Sequence, residues 1–154
     1  MNEWMEKALK LAVTNVREGG HPFGAVLVKD GEAIAEGVNE LHIKPDVSAH
    51  AELVAIRKAQ EHLRTTDLSD CTLYASGEPC PMCLTAAYFA GIKEIHFAQT
   101  VEEASRAGLS LSGKVYEELT KPKDSREINF IHEPVQNSDL DAMDLYSRKT
   151  SESE

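Results

Sequence analysis

The stretch "CTLYASGEPCPMCLTAAYFAGIKEIHFAQ" (residues 71–99) decides the fold. "CTLYASG" has the apolar character of a buried strand, and Pro81 suits the first position of a helix, where its missing N–H is not needed. Gly91 closes that helix, and "KEIHFAQ" resumes as a strand. Strands linked through a helix run parallel, because the crossover returns the chain in the same direction.

Working outward, "SAHAELVAI" (Ser48 to Ile56) opens another helix, with Ser48 as its cap and an end near Leu63. Upstream, "GAVLVKDGEAIAEGVN" (residues 24–39) reads as two strands joined by Asp30-Gly31, a strong hairpin signal. From about Glu3 to Glu18 the apolar residues fall at helical spacing, until Gly19-Gly20 ends the run. Downstream, Val101 to Lys121 is helical but broken near Gly108 and Gly113. "EINFIHEPV" (residues 127–135) supplies a last strand, residues 138–148 a closing helix, and residues 149–154 a frayed tail. Strands alternating with helices after a hairpin predict a three-layer α/β domain with a mixed sheet. The 154 residues are ample for one domain with its own core.

Composition narrows the partners. The net charge is −10, from 16 basic and 26 acidic side chains. Nucleic-acid binding draws most of its affinity from Lys and Arg on phosphates, and no basic cluster stands out. A small-molecule substrate is expected, with no nucleic-acid partner. No apolar run approaches membrane-spanning length. The start "MNEWMEKALKLAV" lacks the basic segment and apolar core of a signal peptide. The chain is expected to be cytoplasmic, without a membrane partner. Three cysteines, two of them close together, suit metal or redox chemistry better than a disulfide framework.

The chemistry gathers at two helix starts. Cys80 and Cys83 flank Pro81-Met82, where the positive end of the helix favours thiolate. Alone, this pair fits a metal site or a redox dithiol equally. His50 and Glu52 shift the balance toward metal. Two residues apart in a regular helix point about 200° away from each other. Both therefore face one site only at the extreme N-terminus. One imidazole and two thiolates make three zinc ligands, leaving a fourth position open to water. A neighbouring carboxylate then implies activated water. The spacing H-x-E followed by P-C-x-x-C is the signature of zinc deaminases, in which the glutamate moves protons and is not a ligand.

On these residues the chain resembles the cytidine deaminase superfamily, and within it the bacterial guanine deaminases, with tRNA adenosine deaminases next. The likeness runs from "PFGAVLVKDG" through "AHAELVAIRKA" and "LYASGEPCPMCLTAAYFA" to "KVYEELTKP", about residues 21–131. It implies a cytidine-deaminase-like α/β/α fold around a five-stranded mixed sheet, and a homodimer. It implies Zn²⁺ on His50, Cys80 and Cys83, with Glu52 as the proton shuttle. It also assigns Asn39 to hydrogen bonding with the base, Phe23 and Phe89 to packing on the ring, and Ala51 to the substrate pocket. Where guanine deaminases carry acidic residues after an A-G-F segment, this chain has "AGLSLSGK", with Ser110, Leu111 and Ser112. Their aromatic-rich tail is also replaced by a charged end after Tyr146.

The expected function is hydrolytic removal of an amino group from a small heterocycle, guanine or a related purine, pyrimidine or triazine. Deamination of adenosine in tRNA is the rival activity. A non-catalytic zinc-binding or redox module is the rival from another class.

Overall fold

The computed structural model describes residues 1–152. They form two compact units, one from Met1 to Thr120 and one from Lys121 onward.

In the first unit, α1 (Glu3–Arg17) starts at Asn2, whose side chain accepts the Trp4 and Met5 N–H groups. The hairpin follows as β1 (Gly24–Lys29) and β2 (Glu32–Val38). Its two-residue turn holds Asp30 at φ 51° and Gly31 at φ 76°, the conformation that matches the twist of the flanking strands. After α2 (Ala51–Leu63) come β3 (Cys71–Gly77), α3 (Pro81–Phe89) and β4 (Glu94–Gln99). α4 (Val101–Arg106) and α5 (Leu111–Leu119) complete the unit.

The sheet order is β2-β1-β3-β4. β1 is antiparallel to both β2 and β3, and β3 runs parallel to β4 through the α3 crossover. Alternation along β1 separates the layers. Val26 and Val28 pack with Met5 and Ala8 of α1 on one face. Ala25 and Leu27 meet α2 and α3 on the other. The three-layer α/β/α arrangement and the mixed sheet are as expected.

One close approach sets the position of α2. A Cβ on Gly37 would lie 2.2 Å from the Ala51 carbonyl oxygen and 2.8 Å from the Ala55 nitrogen. Both are backbone atoms and cannot swing aside. Only glycine lets β2 lie against the first turn of α2, the turn that carries the glutamate and directly follows the histidine.

Several expectations need correction. Four strands form the sheet among the described residues, not five. Residues 127–135 carry no strand, and Ile128, Phe130 and Ile131 are exposed. β-propensity makes a strand only where a partner's N–H and C=O groups complete the ladder. Ser48 does not cap α2. Its hydroxyl donates to Asp46 Oδ1 at 2.6 Å and accepts from Arg57, and His50 occupies the N-cap position. Gly113 lies inside α5, close against Val101, so the break falls only at Ala107–Ser110, where Gly108 has φ 95°.

In the second unit, short 3₁₀ turns at Lys123–Ser125 and Ser138–Leu140 precede α6 (Ala142–Glu152). Residues 149–152 of the expected tail belong to this closing helix, and residues 153–154 lie outside the described residues. Among the described residues no helix is long and apolar enough to cross a membrane.

Candidate metal centre and substrate cavity

Two helices begin at the site, and neither is capped by a side chain. His50 is the N-cap of α2 and Cys80 the N-cap of α3, both with extended backbone (φ −77°, ψ 152° and φ −67°, ψ 168°). An N-cap residue stands half outside its helix, so its side chain can fold over the helix end. This resolves the spacing problem: His50 is not yet helical, and Glu52, in the first turn, reaches the same side. Pro81 opens α3 at its first position, and Cys83 follows two residues later inside the first turn.

His50 Nδ1 lies 3.5 Å from Cys80 Sγ and 3.6 Å from Cys83 Sγ. All three ligand atoms fall within 4.8 Å of one another. Zinc in tetrahedral coordination, with bonds of about 2.1 Å to nitrogen and about 2.3 Å to sulfur, holds such atoms about 3.6 Å apart. The donor set and its spacing fit zinc with three protein ligands.

The groups of the cluster share protons with one another. A hydrogen bond from the Cys83 thiol, with another from His50, brings Cys80 down to about 4 despite partial burial. The same thiol–thiolate contact, together with burial, pushes Cys83 up. The Cys80 contact in turn raises His50. Glu52 is 4% exposed, and burial lifts its carboxyl to about 7, opposed by a hydrogen bond from Cys83.

A cavity of about 470 Å³ opens from these groups, with His50, Cys80, Glu52, Asn39 and Phe23 on its wall. Asn39 is buried, and its Oδ1 accepts the Leu41 N–H at 3.0 Å, which leaves its amide NH₂ as the group to offer a ring acceptor. Phe23 lies against Gly77, where a Cβ would come within 2.9 Å of the ring. The other two residues assigned to substrate are not brought here. Ala51 is fully buried, with its carbonyl turned to Gly37. Phe89, the last residue of α3, is 86% exposed and off the cavity, because the helix turns its final position outward.

Four residues that sequence reasoning passed over form or brace this wall. Asn15, 2% exposed in α1, donates to the His21 and Asn39 carbonyl oxygens at 2.8 and 2.9 Å, tying together the loops that carry Phe23 and Asn39. An asparagine among the apolar positions of α1 was its only signal. Tyr116 of α5 donates to the Pro79 carbonyl oxygen at 2.5 Å, and burial raises its phenol to about 12. Thr100 and Glu103 form a capping box at the start of α4, a T-x-x-E pattern readable from sequence. Glu78 holds the same helix start, its Oε1 accepting the Val101 N–H at 3.1 Å.

Residues 1–99 match the cytidine and deoxycytidylate deaminase zinc-binding region. Guanine deaminase of Bacillus subtilis (strain 168) is 47% identical over 128 residues, covering 82% of this chain and 81% of that protein. A crystal structure of guanine deaminase from Bacillus subtilis superposes with a TM-score of 0.88 at 41% identity, covering 96% of this chain and 95% of that one. A tRNA-specific adenosine deaminase of Aquifex aeolicus is 37% identical over 95 residues, which is 62% of this chain and 63% of that protein.

Proposed function

The chain belongs to the cytidine and deoxycytidylate deaminase zinc-binding family, and on that premise we propose that it removes the amino group of guanine or a closely related small ring as ammonia. The observation that carries this reading is the meeting of Glu52 with His50 and Cys80 of the ligand cluster on the wall of one cavity of base-binding size. His50, Cys80 and Cys83 would hold the zinc, which would lower the pKa of a bound water to about 7.

The chain's own residues do the rest. Glu52 takes a proton from the attacking water and delivers it to the ring nitrogen beside the amino-bearing carbon. The oxygen adds to that carbon, giving a tetrahedral adduct. Glu52 then carries the proton of the new hydroxyl to the amino group. The C–N bond breaks, ammonia leaves, and the carbonyl forms. The Asn39 amide and the Phe23 ring orient the base. We infer that the chain works as one deaminase domain.

The likeness to guanine deaminase spans nearly the whole chain and that to tRNA deaminases a shorter part, which favours a free base. The net charge of −10 argues the same way. Ammonia release from a panel of purines, pyrimidines, nucleosides and triazines is the test, run beside a tRNA anticodon stem-loop. Guanine or a relative bearing an N–C–NH₂ unit is expected to lead. Inosine formed in the stem-loop, with every free base inert, would overturn the reading.

We further infer a homodimer working in the cytoplasm. Three free thiols suit a reducing compartment. β4 lies at the sheet edge, and Tyr88, Phe89 and Phe97 are 76%, 86% and 46% exposed. Sedimentation velocity is expected to give twice the chain mass of 17.0 kDa, and a monomer across micromolar concentrations refutes the dimer.

A further inference from the structure

Three carboxylates line the cavity, those of Glu52, Glu78 and Glu103, and no lysine or arginine does. Glu52 belongs to the proton transfers, and Glu78 is engaged by the Val101 N–H. Glu78 uses Oε1 alone, at 3.1 Å, and Glu103 is held less tightly still. Its backbone is fixed, with its N–H on Thr100 Oγ1 at 3.2 Å. Its carboxylate is held loosely. Oε1 stands 3.4 Å from both the Thr100 nitrogen and the Thr100 hydroxyl, beyond the usual range of about 2.5–3.2 Å. Among the described residues Oε2 has no hydrogen-bond partner.

A carboxylate only accepts hydrogen bonds. With one oxygen unused and no cation beside it on the cavity wall, its complement is a donor on the ligand. The neighbouring wall from Leu109 to Ser112 offers backbone and hydroxyls but no second acid. We propose that Glu103 is a specificity-determining residue, accepting a hydrogen bond from a ring N–H of the base. This rests on the deaminase reading above. It selects for rings that carry an N–H in addition to the amidine unit, and against rings alkylated there.

The competing explanation is that Glu103 serves only as the capping box of α4. Glu103→Gln separates the two, because glutamine completes a capping box as glutamate does while the charge is lost. The zinc-loaded full chain and this variant are compared on guanine, 1-methylguanine and 9-methylguanine, with the melting temperature of each protein recorded. Charge-assisted hydrogen bonds are about twice as strong as neutral ones, so kcat/KM for guanine is expected to fall about tenfold, mostly through KM. One of the two methylations should then cost the wild type far more than it costs the variant, which identifies the N–H that Glu103 reads. Equal losses on all three rings, or no loss on any, overturn the proposal while wild-type activity stands. Wild-type protein that deaminates none of the three overturns the guanine reading itself, and the proposal with it.

Discussion

Glu52→Gln is expected to keep zinc and the fold while deamination falls by at least about 10²–10⁴-fold, the usual contribution of one acid–base group. His50 is the non-helical N-cap, so Glu52 sits in the first turn of α2 and still shares the cavity with the ligand cluster. It is not in that cluster, which consists of His50, Cys80 and Cys83. Removing its charge therefore takes no ligand from the metal, and glutamine keeps the side-chain volume in a site only 4% exposed. What is lost is proton exchange. Burial lifts the carboxyl to about 7, where it both accepts and returns a proton near neutrality. An amide does neither, and the mechanism uses this one group for two transfers. Single-turnover kinetics with elemental analysis of the same sample checks the prediction. A variant that loses zinc along with activity makes Glu52 a ligand and removes the proton-shuttle mechanism.

Local chemistry was legible in the sequence, and long-range pairing was less so. Asp30-Gly31 demanded a positive-φ turn and has one. Pro81 and Gly91 marked the ends of α3, since proline is tolerated only at a helix start and Gly91 adopts φ 79° just beyond its end. The metal cluster was legible because His50 and Glu52, at a second helix start, tip toward metal a thiol pair that alone fits a redox dithiol equally well. Ser48 misled because a serine before a helix looks like a cap wherever its hydroxyl points, and here Asp46 and Arg57 claim it. Residues 127–135 have strand composition, but composition does not name a partner strand. Phe89 carried the right residue type at the right spacing, yet whether a ring at the end of α3 meets a pocket or solvent depends on packing several elements away.

Cys83→Ser is expected to lose zinc and, with it, all activity, while the melting temperature drops and ceases to respond to a chelator. Cys83 is fully buried within the core cluster shared by α2, α3 and the sheet. It is thus both a ligand and part of the packing between the two helices that carry the centre. Its sulfur stands 3.6 Å from His50 Nδ1, and no spare thiol is at hand, because Cys71 lies in β3 outside the cluster. A serine hydroxyl is a far poorer zinc ligand than thiolate and is shorter-reaching, so two protein ligands remain where three are needed. Because folded protein binds the metal and unfolded chain binds it weakly, a site filled at about 1,000 times its Kd contributes about 4 kcal/mol to stability. That contribution disappears in the variant. Chelation should bring the wild type down toward the variant's melting temperature and leave the variant where it is. Zinc stoichiometry near one per chain in the wild type and near zero in the variant completes the check. Zinc-free wild-type protein with a reversible Cys80–Cys83 disulfide is the opposite result, and it would recast these helix ends as a redox pair.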